Sequence, residues 1–241
     1  MSSDSPAIPP YRVRESSRAK HVRLTVSARD GIVVVIPKGA DRRFIPRLLQ
    51  EKRQWLNKTL QRLQMQGNIQ KPVLQAAPDN IPLRAIATTY ELNYQAREGA
   101  KAVHIHEDNH FQLLIKGDTA NHVLLQQGLK KWLVRQGYRH LAPWLENTSR
   151  QVGLDYRKLT IKGQKTLWGS CSRKRNININ YKLLFLPPHL VEYVFLHELT
   201  HLVHLNHSAQ FWHLLESFLP ECRQLDRELR HAGQYVPVWV E

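Results

Sequence analysis

The chain has few cysteines and no uninterrupted apolar run long enough to cross a membrane, and both features narrow the class of protein that it can be. Cys171 and Cys222 are the two cysteines in 241 residues, too few for a disulfide-stapled secreted scaffold. Ile32–Pro37 is too short to cross a bilayer, and Leu183–Leu196 is interrupted by prolines, a histidine and a glutamate. Residues 1–10 are polar and lack the apolar core of a secretory signal. We therefore expect reduced thiols and a cytoplasmic protein.

Acidic residues are also scarce: 20 Asp and Glu stand against 35 Lys and Arg, which gives a net charge of +15. The hydrophobic share of 42% still fits a globular protein rather than a disordered one. The charge is uneven, because residues 1–63 hold 14 basic and 5 acidic residues, and residues 156–175 hold seven basic and no acidic ones. Such patches predict an acidic partner, such as a nucleotide or nucleic acid, or serve solubility alone.

The basic first part of the chain predicts a β-hairpin followed by a helix. The β-rich runs Val22–Val26 and Ile32–Ile36 flank Asp30-Gly31, a dipeptide typical of hairpin turns. From Asp41 onward, apolar residues recur at three- and four-residue steps. This spacing predicts a helix with Asp41 as N-cap and Pro46 in its first turns.

The rest of the chain predicts a mixture of strands and helices. Gln64–Pro82 is rich in Gln, Pro and Asn, which indicates a linker or a long loop before them. Alternating apolar residues predict strands at Arg84–Gln95, Lys101–Lys116, Leu159–Lys162 and Asn176–Asn180. Helical apolar spacing predicts one long helix from about Thr119 and three more, at about 188–204, 208–219 and 221–232. Pro188 suits the first position of its helix, and Ser208 is the expected N-cap of the next.

The segment His197-Glu198-x-x-His201 carries the most informative pattern. On a helix, positions i and i+4 lie on one face, so both imidazoles can reach one zinc ion at about 2.0–2.1 Å. Glu198 projects to the side of the metal and can reach a coordinated water without becoming a ligand. The surrounding apolar residues predict a helix that the core holds rigidly. We therefore predict a metal site rather than incidental histidines.

A third ligand must come from beyond this helix. His204 lies seven residues after His197, a rise of about 10.5 Å, which is too far for three imidazoles on one straight helix. A turn at Leu205-Asn206 would bring His207 back, in the His-x3-His-x5-His spacing of the extended zincin motif. That motif has glycine where His204 stands, and both methionines lie upstream, so the chain is not an ordinary metzincin. We predict His207 as the ligand and His204 as a surface or outer histidine.

Such a three-histidine site predicts hydrolysis, with one zinc ion per chain. Three neutral imidazoles would leave the ion with a +2 charge and an open fourth position for water. The metal would lower the pKa of that water, and Glu198 would take its proton and pass it to the leaving group. The polarised oxygen could belong to a peptide carbonyl or to a phosphoryl group, so both substrate classes stay open.

Several motifs of this region follow one another in order. They are Lys165–Ser172 (KTLWGSCS), Ile179-Asn180 with Leu183-Leu184 and Pro187, Tyr193-Val194 with His197-Glu198-Leu199 and His201-Leu202, and Asn206-His207-Ser208 with Phe211-Trp212. Together they resemble the YgjP-like zinc metallopeptidases, relatives of the SprT-like and Wss1-like proteins. The resemblance extends more weakly to the N-terminal hairpin and to Trp55, and so covers most of the chain.

The resemblance implies a single zinc ion bound by His197, His201 and His207, with Glu198 as catalytic base. It also implies an α+β fold, in which a small β-sheet packs on a zincin-type metal-bearing helix next to an N-terminal β-hairpin plus helix region. A family of this kind acts on a peptide or protein substrate.

We expect three regions along the chain. They are a flexible tail at 1–10, a basic N-terminal hairpin and helix region at 11–80, and a metallopeptidase-like region at 81–241 with its zinc core at 120–232. One continuous domain over 11–241 is the alternative.

Five residues ahead of the metal helix are candidates for substrate binding: Trp168, Gly169, Ser170, Lys165 and Arg173. Gly169 allows close backbone approach and Ser170 offers a donor, so an edge strand here could bind an extended peptide by strand addition. The alternative is a tight structural turn anchored by Trp168. Cys171 is expected to be a small buried thiol rather than a ligand.

The leading hypothesis is therefore a zinc-dependent metallopeptidase. A first alternative is a metal-dependent nucleoside triphosphate pyrophosphohydrolase, in which the basic segment 156–175 would hold the phosphates. A second is a nucleic-acid-associated protein or protease that uses the basic residues 1–63. No membrane partner is expected.

Overall fold

The computed structural model of the chain describes residues 11–17, 19–27, 31–65 and 77–240. Tertiary contacts divide the chain into two units, Met1–Leu74 and Gln75–Glu241. The predicted tail and most of the predicted linker lie outside the described residues, and the division into functional regions stays a prediction. Within the described ranges, no helix combines the length and the apolar character needed to cross a lipid bilayer. The cytoplasmic location likewise stays a prediction.

The first unit contains a three-stranded sheet: β1 (Tyr11–Ser16), β2 (Arg23–Ser27) and β3 (Gly31–Pro37). The central strand β3 pairs antiparallel with β2 and parallel with β1. The predicted hairpin is confirmed by the β2–β3 pairing, although residues 28–30 of its turn lie outside the described residues. Strand β1 was not predicted, because its partner β3 lies beyond an intervening strand and no local turn signals the pairing.

Two helices, α1 (Ile45–Glu51) and α2 (Arg53–Met65), follow the sheet. Asp41 is not the N-cap, since α1 begins at Ile45 after Phe44 and Pro46 occupies its first turn. The Asp41 carboxylate instead accepts the backbone N–H of Arg43 at 2.9 Å, which closes a local turn ahead of the helix. The core of this unit is formed by Ile32, Val34, Ile36, Ile45, Leu49 and Leu56.

The second unit opens with a four-stranded sheet: β4 (Asn80–Leu83), β5 (Thr88–Ala96), β6 (Val103–Glu107) and β7 (Gln112–Gly117), in the order β4-β5-β7-β6. The predicted strand Arg84–Gln95 is wrong at its start, because Arg84–Ile86 form a 3-10 turn. The predicted strand Lys101–Lys116 is an antiparallel hairpin of two strands. Its turn is held by the Asp108 carboxylate, which accepts the backbone N–H groups of His110 and Gln112.

The long predicted helix is interrupted. α3 (His122–Gln136) is capped by the Asn121 side chain, a π-helical turn covers Gly137–Leu141, and α4 (Ala142–Val152) continues from it. The apolar stripe that predicted one helix runs through all three pieces, so its periodicity did not reveal the change of hydrogen-bonding pattern.

A third small sheet and three helices complete the unit. The strands are β8 (Lys158–Lys162), β9 (Gly169–Cys171) and β10 (Asn176–Asn180), in the order β8-β10-β9. The helices are α5 (Pro188–Thr200), α6 (Ala209–Phe218) and α7 (Cys222–Leu229). The architecture confirms the predicted α+β class, with β9 packed against α5.

Candidate metal centre

Helix α5 is buried on nearly all sides. Pro188 opens it, where the absent N–H costs no hydrogen bond. Its buried residues are Leu190, Val191, Tyr193, Val194, Phe195, Leu196, Glu198, Leu199 and Thr200. An apolar surface all around is typical of a helix inside a core, and such packing leaves the side chains of α5 little freedom. The helix is therefore a rigid base for the histidines at its C-terminal end.

The imidazoles of His197, His201 and His207 converge. One ring nitrogen from each lies within 4.8 Å of the others, and Nε2 of His207 stands 3.0 Å from Nε2 of His197. Two nitrogens bound to one tetrahedral zinc at about 2.0–2.1 Å lie about 3.3 Å apart, so this spacing fits a shared ion.

The chain leaves α5 sooner than predicted. The helix ends at Thr200 rather than near residue 204, and the N–H groups of Val203 and His204 both bond the Thr200 carbonyl, at 3.1 and 3.0 Å. The resulting turn brings His207 back over the helix end. It also places the His204 carbonyl 2.9 Å from Nδ1 of His201, whereas the His204 side chain lines a different cavity.

Phe211 supports the three imidazoles from below. It is fully buried, and its ring centroid lies 5.0, 4.6 and 4.8 Å from those of His197, His201 and His207. The predicted cap is confirmed, since Ser208 Oγ accepts the Phe211 N–H at the start of α6. Helix α6 thus contributes a core residue whose ring packs against all three candidate ligands.

Glu198 is a buried carboxyl beside the histidines. It is 5% exposed, and its Oε2 atom has no hydrogen-bond partner among the described residues. Burial raises the pKa of Glu198 to about 8. A desolvated, unpaired carboxylate is costly to the fold, and such groups are typical of sites that handle protons.

Burial favours the neutral, ligating form of two of the histidines, His197 and His201. Burial, and then the neighbouring His201 and His207, lower the pKa of His197 to about 3. Burial also lowers the pKa of His201. Neutral imidazole is the form that binds a metal ion, so no proton has to be displaced from these two rings near neutral pH.

Strand β9 forms one wall of the site. It pairs with β10 alone among the described strands. Two asparagines of β10 also bond β9 and the loop that precedes it through their side chains. The Asn180 amide donates to the carbonyls of Gln164 and Leu167 at 2.9 and 2.8 Å, and the Asn178 amide donates to Ser170 Oγ at 3.0 Å. The Asn–Ile alternation that predicted a strand therefore also builds the loop ahead of β9.

The histidines and Glu198 open into a cavity of about 330 Å³. Of the predicted substrate-binding residues, Trp168, Gly169 and Ser170 line it. Lys165 lines a neighbouring cavity of about 220 Å³, and Arg173 is exposed and lines neither. Cys171 is half-buried in the wall, where burial, and then the Glu198 charge, raise the pKa of its thiol to about 11.

Sequence reasoning missed several residues of this cavity. Leu205 and Leu229 add apolar surface, and Asp226 reaches the wall from α7, a helix that begins 22 residues after the end of α5. Asp226 and Leu229 could not be predicted as part of the site, because no local sequence spacing connects α7 with the histidine motif.

The chain matches the model of the YgjP-like metallopeptidase domain over residues 20–232. The chain belongs to the YgjP-like family. Membership confirms the resemblance seen in the motifs and makes this YgjP-like chain a metal-dependent hydrolase of the peptidase class, which acts on peptides or proteins. No curated protein matches it.

Two solved structures show partial similarity to this YgjP-like chain. The metallopeptidase zymogen abylysin of Pyrococcus abyssi is 25% identical over 35% of this chain and 87% of its own, with a TM-score of 0.32. The metallopeptidase zymogen jannalysin of Methanocaldococcus jannaschii is 21% identical over 35% of this chain and 88% of its own, with a TM-score of 0.32.

Proposed function

We propose that the chain is a zinc metallopeptidase in which His197, His201 and His207 hold one zinc ion and Glu198 is the general base. The observation that carries this proposal is the convergence of three imidazoles beside a buried carboxylate that has a free oxygen. Each part alone has a structural explanation, but together they form the donor set and the proton acceptor that metal-assisted hydrolysis needs.

The donor set favours zinc over harder cations. Three nitrogen ligands suit zinc, whereas magnesium and calcium prefer oxygen. A zinc ion bound there would supply a Lewis acid that polarises a peptide carbonyl and makes water a better nucleophile.

Glu198 is suited to proton transfer. Because burial raises its pKa to about 8, the carboxylate is a stronger base than an exposed glutamate. It would accept a proton from the attacking water and return it to the amine that leaves. Its burial also excludes bulk water that would otherwise compete for the same oxygen.

The wall of the cavity suits an extended peptide. Strand β9 has β10 on one side, and its other edge has no partner among the described strands, so a substrate strand can add there. The exposed side chains of Leu167 and Leu205 border the same space and offer apolar contacts to substrate side chains. We therefore propose a preference for large apolar residues next to the scissile bond.

The cavity gives little support to a nucleotide substrate. Among the residues that the structure describes, no lysine or arginine lines it. Arg175, from the basic segment 156–175, bonds the Asp155 carbonyl instead. A triphosphate would need cations that face the metal, so the peptidase is the better supported function.

The test combines metal content with proteolysis. We expect about one zinc per purified chain and zinc-dependent cleavage of unfolded casein. Glu198→Gln should keep the metal and lose cleavage by at least about 100-fold, as expected for a general base. Glu192→Gln, an exposed carboxylate on the same helix, is the matched control and should cleave normally. Cleavage by Glu198→Gln at the wild-type rate would refute the proposal.

A further inference from the structure

Tyr193 lies one turn before His197 on α5, on the same face of the helix. Its ring is fully buried, and its hydroxyl oxygen stands 3.3 Å from Nδ1 of His197. The same hydroxyl lies 3.1 Å from Oδ1 of Asp226 on α7. A single buried hydroxyl therefore connects a candidate metal ligand with a carboxylate on another helix.

The positions of the protons in the hydrogen bonds from His197 through Tyr193 to Asp226 can be assigned from chemistry. An ionised carboxylate only accepts, so the Tyr193 hydroxyl donates its proton to Asp226. The lone pair that remains on the hydroxyl oxygen can only accept, and Nδ1 of His197 must then carry the proton. In a neutral imidazole this leaves Nε2 unprotonated, which is the nitrogen that faces His207 at 3.0 Å.

Asp226 is itself held in place. Arg230, four residues later at the C-cap of α7, donates to its second oxygen at 2.5 Å. The side chain of Asp226 is 26% exposed, so the carboxylate keeps contact with solvent on one side and buried partners on the other. The ion pair with Arg230 thus orients Asp226 so that its other oxygen can accept the Tyr193 hydroxyl.

We propose that Tyr193 and Asp226 are positioning residues for the metal site, which hold His197 in the orientation and tautomer that present Nε2 to the ion. The inference rests on the proposed three-histidine site. Outer hydrogen bonds of this kind fix ligand geometry, and their removal typically weakens metal binding about 10- to 100-fold. His201 obtains the same support from the His204 carbonyl, through the backbone of its own turn.

The assignment gives α7 a role in the metal site. The helix supplies Asp226, the last acceptor in this series of hydrogen bonds, although α7 itself holds none of the proposed metal ligands. A second contact, from His189 to Glu228 at 2.9 Å, also joins α5 to α7 but ends far from the histidine cluster along α5. The two contacts can therefore be separated by mutation.

The experiment measures zinc affinity by competition with a chromogenic chelator at fixed pH. Tyr193→Phe removes one oxygen and keeps the ring, and we expect zinc to bind about 10- to 100-fold more weakly. Asp226→Asn should weaken binding in the same direction, and the double variant should be no weaker than Tyr193→Phe because the two act in series. Glu228→Gln also neutralises a carboxylate of α7 that contacts α5, and should bind zinc within about twofold of wild type.

Cobalt substitution supplies a second readout. The visible bands of a bound cobalt ion report its ligand geometry, and we expect them to shift in Tyr193→Phe and to stay in place in Glu228→Gln. If Tyr193→Phe does not fold, Asp226→Asn at its partly exposed position decides the question by the same measurements. Wild-type zinc affinity and an unchanged cobalt spectrum in these variants would overturn the inference. A wild-type chain that binds no zinc would instead refute the proposed function.

Discussion

Gly169 lies directly against Glu198: a Cβ atom at position 169 would stand 2.6 Å from Oε1 of the carboxylate and 2.7 Å from its Cγ. Real Cβ atoms essentially never come that close, so any side chain at 169 has to displace Glu198 or the strand. The contact explains why a glycine stands at the start of β9. It lets the wall of the cavity touch the residue that we propose as the base.

Gly169→Ala should therefore impair catalysis more than metal binding. We expect cleavage to fall by about 10- to 100-fold, because misplacement of a base by about 1 Å is costly, while zinc content stays near one per chain. The measurement is kcat with zinc analysis of the same sample. Gly233→Ala is the control, since a Cβ there would meet no atom of the described residues within 4 Å. Wild-type kcat in Gly169→Ala would contradict the proposed role of the contact.

Glu198→Gln should stabilise the metal-free protein while it abolishes activity. In the fold the pKa of Glu198 is raised to about 8, from an ordinary 4.5, so between these values the native state holds more protons than the unfolded state. Its stability therefore falls as pH rises from 4.5 to 8, and a glutamine has no such dependence. At pH 8 we expect a gain of about 1–3 kcal/mol, the usual cost of a buried unsatisfied group.

Thermal unfolding with a chelator present, between pH 5 and 8.5, tests this pH dependence. The difference in Tm between Glu198→Gln and wild type should grow with pH. The titration of His197 is common to both proteins and cancels to first order. A difference that shrinks as pH rises would mean that burial does not raise the pKa of Glu198.

The third histidine can be tested by a pair of substitutions. His207→Ala should lose most of its zinc, because the two remaining imidazoles, of His197 and His201, bind the ion too weakly alone. His204→Ala should keep about one zinc per chain, since His204 supports the site through its backbone carbonyl, which the substitution retains. Zinc analysis after dialysis decides between them, and loss of metal from His204→Ala alone would reverse the assignment.

Leu205 should contribute to substrate affinity rather than to chemistry. It borders the cavity and is 52% exposed, so a bound peptide can cover it. Leu205→Ser should raise KM for substrates with large apolar residues by about 3- to 10-fold, the value of one modest apolar contact, and leave kcat unchanged. Val203→Ser is matched in exposure, at 50%, but lies outside the cavity lining and should leave KM unchanged. Equal effects of the two substitutions would argue against the apolar contact.

Glu107, at the end of β6 in the four-stranded sheet, should matter for the stability of the fold although it does not line the candidate metal site. Its carboxylate accepts four hydrogen bonds, from Tyr90, Trp132, Gln136 and Arg139. Glu107→Ala would leave buried donors unsatisfied, at a cost of about 3 kcal/mol and a fall in Tm of about 6–12 °C. Glu91→Ala, an exposed glutamate in the same sheet, is the control. A Tm of Glu107→Ala equal to that of the control would show that the network adds nothing.

Local signals predicted a good part of the fold and the site. The β2–β3 hairpin, the start of α5 at Pro188 and the Ser208 cap depend on neighbours within a few residues. Backbone preferences act at that range, so the amino-acid pattern suffices to predict them. The approach of His207 to His197 and His201 was also predictable, because helix geometry excludes His204.

Features that depend on distant partners escaped prediction. The parallel pairings β1–β3 and β5–β7 join strands across intervening segments, and neither carries a turn signal. The predicted end of α5 was wrong by four residues, because the helix ends at Thr200 with no glycine or proline to mark the place. The N–H groups of Leu202 and Val203 form tighter bonds there, to carbonyls three residues earlier.

The sequence by itself determined the chemistry of this protein, since the residue types and spacing of His197, Glu198, His201 and His207 predict a metal-dependent hydrolase. Tertiary structure alone decided which surroundings those residues have. It set Gly169 against Glu198, and it brought Asp226 from α7 to the hydroxyl that contacts His197. The physical reason is range: spacing along one helix is fixed by its repeat, whereas contacts between elements follow from how the whole core packs.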